Sequence, residues 1–244
     1  MSTRILIVAA TRMEVAQVLA AIGCGEGAGA DGVSGAAVAE ASGGRGQIAR
    51  GSYCGRRVDV LVSGVGMVAT AVWCARALAG GRYDLALNAG LCGSFDRALL
   101  PPAVVHVVSD CIAELGAEDG EAFLTVHDLQ LLDPDEFPFR GGRLVNGAPP
   151  PNAALARLPP VAGITVNMVH GSERSIAQVA DRFHPDVESM EGAGFMYACL
   201  VHGIPFAQVR AVSNLVERRQ RAGWQIEPAI RNLAAALLDV LAHA

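Results

Sequence analysis

The sequence contains no lysine: all 19 of its basic residues are arginine. That absence removes the P-loop lysine, Schiff-base chemistry and pyridoxal phosphate attachment together. Clustered metal or redox ligands are missing as well. The six cysteines are scattered at 24, 54, 74, 92, 111 and 199 with no CxxC, and the six histidines form no HxxxH or HxH pair. No metal site is expected, and the cysteines read as reduced, mostly buried residues of a cytosolic protein. No apolar run reaches the length of a membrane span, and Met1-Ser-Thr-Arg-Ile5 leads into a strand rather than a signal peptide. There is no basic stripe with interleaved aromatics, and the formal net charge of −5 argues against a nucleic-acid partner.

What is present is a core. Across 244 residues, 52% are hydrophobic and only 18% charged, enough to bury one large α/β domain. Strands are predicted at 4–10, 48–53, 58–63, 85–88, 163–169 and 206–212, with a long β segment over 101–115. Helices are predicted at 13–22, from 67 through 78, and at 173–183, 192–202 and 226–243. Val15, Val18, Leu19 and Ile22 share one face of the first helix, and Leu233, Leu237, Val240 and Leu241 one face of the last. Residues 23–46 are rich in Gly, Ala and Ser and read as a flexible loop; 116–160 reads as loop with surface excursions. The alternation of β and α units predicts one three-layer α/β domain over residues 1–244.

Chemistry gathers at the strand ends. Met190-Glu191 sits where a strand runs into a small-residue helix, and Glu14 falls in the first turn of the helix after the first strand. Each carboxylate has two readings: favourable placement at a helix N-terminus, or a ligand group beyond the carboxyl end of a strand. Gly64-Val-Gly66-Met-Val-Ala69 matches G-x-G-x-x-A, but the next strand ends in Asn88-Ala-Gly rather than in the acidic residue of a dinucleotide site. The glycines still permit close backbone approach to a ligand. Residues 88–94 read as a second small-residue turn. His106 reads as a core or edge residue, while His170, at a strand end beside Gly-Ser, is a weak site candidate.

Taken in order, these segments resemble the purine nucleoside phosphorylase and nucleosidase superfamily. Ala10-Thr-Arg-Met-Glu14-Val is similar to the opening motif of the methylthioadenosine/S-adenosylhomocysteine nucleosidases. Ser63-Gly-Val-Gly66 and Asn88-Ala-Gly-Leu-Cys-Gly93-Ser are similar to its two glycine turns. Ser189-Met-Glu191 resembles its ribose-binding motif, and Arg210-Ala-Val-Ser-Asn214 its base-recognition motif. The resemblance implies a central mixed sheet flanked by helices, a small-molecule nucleoside substrate, no cofactor, and a homo-oligomer of two or more copies.

Two departures refine it. The phosphorylases place a phosphate-holding arginine in the strand before the second glycine turn, where this chain has Asn88; with Glu14 present, hydrolysis is favoured over phosphorolysis. Adenine-cleaving relatives carry aspartic acid where this chain has Asn214. The acceptor atoms N7 and O6 of a 6-oxopurine call for a donor, which an amide supplies and an ionised carboxylate does not. A nucleosidase for 6-oxopurines with Glu188-Ser-Met-Glu-Gly-Ala193 and Ser213-Asn-Leu-Val-Glu-Arg-Arg-Gln-Arg-Ala-Gly-Trp224 resembles the futalosine hydrolase family, which releases hypoxanthine from futalosine on the route to menaquinone.

The resemblance implies roles residue by residue. Glu14 would deprotonate water, Glu191 would hold the ribose hydroxyls with Met190 under the sugar, and Asn214, oriented by Ser213, would donate to the departing base. Ser63, Gly64, Gly93, Val169 and His170 are expected to contact substrate. The aromatic carboxylate on the 5′ side of futalosine calls for an arginine; Arg12, Arg218, Arg219 and Arg221 are all open. A methylthioadenosine-type nucleosidase, a 6-oxopurine phosphorylase and a non-catalytic dinucleotide binder remain the competing readings.

Overall fold

The chain, seen in a computed structural model, is described over residues 3–23 and 46–244. The interior of the loop expected at 23–46 lies outside the described residues. In chain order the elements are β1 (Arg4–Ala9), α1 (Arg12–Ala21), β2 (Ile48–Tyr53), β3 (Arg56–Val62), α2 (Met67–Gly80), β4 (Leu85–Ser94) and β5 (Val104–Asp110). Four short strands follow: β6 (Gly116–Asp119), β7 (Ala122–Thr125), β8 (Phe139–Arg140) and β9 (Arg143–Val145). The chain then runs through β10 (Pro160–Thr165), α3 (Glu173–Phe183), β11 (Val187–Ser189), α4 (Gly192–His202), β12 (Phe206–Leu215) and α5 (Ile226–His243).

Ten strands form one mixed sheet in the order β2-β3-β1-β4-β11-β10-β5-β9-β8, with β12 paired to both β4 and β5. Those pairings close β4, β12, β5, β10 and β11 into a ring. Alternation along β1 makes the three layers. Ile5, Ile7 and Ala9 face α1 and α5, packing with Val15, Val18, Leu233 and Leu237. Leu6 and Val8 face the other way, onto Cys74 and Leu78 of α2 and Phe195 and Met196 of α4. Each fully buried Leu, Ile or Phe contributes about 1.5–3 kcal/mol, so these two slabs hold the layers together. Gly194 lets α4 close on α2, because a Cβ there would collide with the carbonyl oxygen of Met67. Among the described residues no helix is long and apolar enough to cross a membrane.

Three expectations change. Residues 88–94 are the second half of β4 and not a turn. Their small side chains reflect crowding, since β4 is paired with β1, β11 and β12. β12 continues past Val212 to Leu215 through a bulge between Val212 and Asn214. Residues 116–160 hold four short strands, of which β8 and β9 extend the main sheet and β6 and β7 form a separate hairpin.

Candidate active site

The carboxyl ends of β1, β4, β11 and β12 open into one cavity of about 440 Å³, a volume within the usual range for small-molecule sites. Glu14, Met190, Glu191, Ser213, Asn214, Gly93, Val169 and His170 all line it.

Glu14 enters from the first turn of α1. Its Oε2 accepts the Thr11 backbone N–H at 2.8 Å and the Thr11 hydroxyl at 2.9 Å, closing a capping box. Its Oε1 accepts the Leu91 N–H at 3.2 Å. Glu14 therefore caps its helix and also faces the cavity. Burial raises its pKa, opposed by nearby Arg210 and by the Thr11 hydrogen bonds, with Glu191 adding a further upward push. A carboxylate poised this way is a better proton acceptor than a solvated one.

Glu191 is the N-cap residue of α4, yet its side chain makes no cap hydrogen bond there. Its Oε1 accepts the Gly66 N–H at the start of α2 (3.1 Å), and its Oε2 is salt-bridged to Arg210 Nη1 at 3.2 Å. Gly66 has φ +100°, a conformation that suits glycine and turns its N–H toward that carboxylate. The G-x-G-x-x-A turn thus presents its helix N-terminus to the protein's own Glu191.

Arg210, 1% exposed in the middle of β12, is the residue whose importance the sequence concealed. Besides Glu191, its guanidinium donates to Asn88 Oδ1 at 2.5 Å and to Leu91 O at 3.4 Å. Gly90 makes room for it, since a Cβ there would strike Nη1 and stand 3.2 Å from Glu14 Oε1. Asn88 is therefore a buried bracket for Arg210, itself donating to Val8 O at 2.9 Å, and it lies outside the cavity wall. The available signal was a charged residue inside the apolar run of β12.

The β12 bulge aims both Ser213 and Asn214 inward. Ser213 donates its hydroxyl to Asn214 Oδ1 at 2.8 Å, which fixes the amide orientation. One Asn214 N–H is spent on Leu215 O at 2.9 Å, leaving the second free to donate. On β4, Cys92 also touches the cavity; burial drives its thiol pKa up to about 12, so it is no nucleophile.

Ser63 and Gly64 do not line the cavity. The Ser63 hydroxyl is occupied by Ala9 O, Gly64 O and Thr70 Oγ1 at 3.2, 3.1 and 3.0 Å. Val65, between the glycines, reaches the wall instead. Of the four open arginines, Arg218 and Arg219 stand at the mouth and Arg12 and Arg221 do not. Trp224 joins them, with the Arg219 guanidinium 5.1 Å from its ring centroid. Glu188, Thr11, Leu91 and Ile226 are among the further wall residues.

The family model described as the Phosphorylase superfamily matches residues 4–242. The chain belongs to the Phosphorylase superfamily. Within that superfamily it is 38% identical to a futalosine hydrolase of Streptomyces coelicolor over 192 residues, covering 75% of this chain and 76% of that one. It is 31% identical to a futalosine hydrolase of Thermus thermophilus, covering 75% and 80% of the two chains. Its fold matches the Colwellia psychrerythraea 5′-methylthioadenosine/S-adenosylhomocysteine nucleosidase, solved with adenine, with a TM-score of 0.74 at 19% identity over 99% and 95% of the two chains. The futalosine hydrolase of Helicobacter pylori gives a TM-score of 0.73 at 15% identity over 98% and 97%. These likenesses bear out the superfamily resemblance and the α/β fold.

Proposed function

We propose that this superfamily member hydrolyses the N-glycosidic bond of futalosine, releasing hypoxanthine and leaving dehypoxanthine futalosine. The observation that carries the reading is the convergence of Glu14, Glu191 and Asn214 on one cavity, in a chain similar to futalosine hydrolases.

The chemistry follows from the hydrogen-bonding capacity left on each group. Glu191 has one partner on each oxygen, so each keeps a lone pair for the ribose 2′- and 3′-hydroxyls. Met190 packs a soft thioether under the sugar. Glu14, already holding three donors, takes the proton of a water aimed at C1′. The water oxygen bonds to C1′ as the C1′–N9 bond breaks, and its electron pair leaves on the base. The free Asn214 N–H stabilises that developing charge at N7. An amide transfers no proton at neutral pH, so the base takes its proton from water.

Water rather than phosphate is the nucleophile in this reading. The guanidinium nearest Glu14 is engaged by Glu191, Asn88 and Leu91 O, and a phosphate dianion would face the Glu14 carboxylate. At the mouth, Arg218 and Arg219 beside Trp224 suit the aromatic carboxylate of the 5′ side, one by charge and the ring by stacking. The enzyme would act in the cytoplasm, without a cofactor, as a homo-oligomer.

Chromatography of products after incubation with futalosine, inosine and methylthioadenosine, with and without phosphate, tests the reading. Free hypoxanthine from futalosine in phosphate-free buffer is the expected result. Adenine from methylthioadenosine, or release that needs phosphate, overturns it.

A further inference from the structure

Glu188 is a buried carboxylate on the cavity wall that the steps above do not use. It sits on β11 opposite Gly93 of β4, and Gly93 is paired on its other side with Asn214 of β12. A Cβ on Gly93 would meet Val216 Cγ2 first, at 2.9 Å, then Asn214 Nδ2 at 3.3 Å and Glu188 Cγ at 3.6 Å. Asn214 and Glu188 therefore stand on either side of Gly93, and both line the cavity. His170 holds the carboxylate in place: its backbone N–H donates to Glu188 Oε1 at 3.1 Å and its Nδ1 to Oε2 at 2.7 Å. A carboxylate offers about four acceptor positions, so roughly two remain for a ligand.

We propose that Glu188, positioned by His170, accepts the N1–H of a 6-oxopurine while Asn214 donates to its N7/O6 edge. The proposal rests on the 6-oxopurine reading of the base and extends it to a second atom. A 6-oxopurine carries a proton on N1; adenine carries a lone pair there, which the carboxylate repels. Glu188 then rejects adenine at N1. A carboxylate hydrogen bond of this kind corresponds to about 10–100-fold in affinity.

Calorimetric binding of hypoxanthine, 1-methylhypoxanthine and adenine to wild type and to Glu188→Gln tests it. Wild type is expected to bind hypoxanthine at least about tenfold more tightly than either of the others. In Glu188→Gln the amide can donate to adenine N1, so adenine binding strengthens as hypoxanthine binding weakens and the ratio collapses; a structural role alone would weaken both together. An unchanged ratio overturns the proposal. If the variant does not fold, the wild-type pair decides: 1-methylhypoxanthine carries a methyl group in place of the N1 proton, and equal affinity overturns the proposal. His170→Ala is expected to lower the ratio by a smaller factor, and no change removes its positioning role. Futalosine turnover measured in parallel separates the two readings. Collapsed selectivity without futalosine hydrolysis refutes the substrate and keeps Glu188; hydrolysis with unaltered selectivity does the reverse.

Discussion

The floor and the mouth of the cavity are built on opposite terms. At the floor, Glu14 and Glu191, with Arg210 and Asn88 behind them, are each held by two or more hydrogen bonds, and Arg210 is 1% exposed. At the mouth, Arg218 and Arg219 are exposed, and the contact that orders Arg219 is its approach to Trp224. Arg210 and Asn88 lie on strands paired on both sides, and Glu14 and Glu191 at the start of helices that follow β1 and β11, whereas a stretch between β12 and α5 carries the mouth. Bond breaking requires atoms fixed to a fraction of an ångström, and recognition of a substituent tolerates adjustment. A substitution at the floor should damage the rate or the fold; one at the mouth should damage affinity alone.

The sharpest way to break that contrast is at Glu14. Glu14→Gln is expected to lower kcat by about 10²–10⁴ with little change in KM, read by steady-state hypoxanthine release. In wild type, burial raises the Glu14 pKa, so the acid limb of the kcat profile should lie above the usual carboxylate range, with rate lost as pH falls through it. Near-normal hydrolysis by the variant would remove Glu14 as the base.

Next comes Gly90→Ala, which touches no substrate. The added methyl displaces Arg210 from Asn88 and Glu191, and uncoupling a buried ion pair costs about 3–5 kcal/mol. A fall in the denaturation midpoint together with lost activity is expected; an unperturbed enzyme would mean Arg210 is not fixed. At the mouth, Arg218→Ala and Arg219→Ala should raise KM for futalosine by about tenfold or more, leave kcat nearly intact, and change inosine cleavage little. An effect on kcat in place of KM would erase the floor–mouth distinction.

The smallest expected effect lies behind the floor, at Asp110. It is fully buried against Thr165 and Gln208, and burial raises its pKa to about 6. Because the folded pKa is the higher one, the folded state binds the extra proton, and this group's contribution to stability falls as pH rises from about 3.8 to about 6. Asp110→Asn removes that dependence. It also offers a donor to Gln208 Oε1, which lacks a partner among the described residues. The variant should match or exceed wild-type stability at pH 8 by up to about 1–2 kcal/mol, measured by urea unfolding at several pH values.

The sequence made the layers legible because hydrophobic period and small-residue strand ends are local signals. β1, α3, α4 and α5 fall where the apolar spacing places them. Glu14, Met190, Glu191 and Asn214 were legible as strand-end residues and through resemblance. What stayed hidden was set by neighbours far along the chain. Residues 88–94 look like a turn in isolation, and become a strand only when β12 and β11 arrive beside them. Arg210 and Asn88 are 122 positions apart, so their pairing has no sequence period to reveal it. Ser63 and Gly64 were expected at the substrate; the cavity wall there is Val65, and the Ser63 hydroxyl turns inward to Thr70.

The bond between the Gly66 N–H and Glu191 has a consequence for selectivity in a cell. A glycine turn opening a helix is where the phosphates of nucleotides normally lodge. Here that berth is filled from within, by a negative group that cannot diffuse away. A phosphorylated nucleoside would have to compete with a covalently tethered anion at full occupancy. The Glu191 carboxylate therefore acts as a resident competitor for any phosphate that would lodge at this turn.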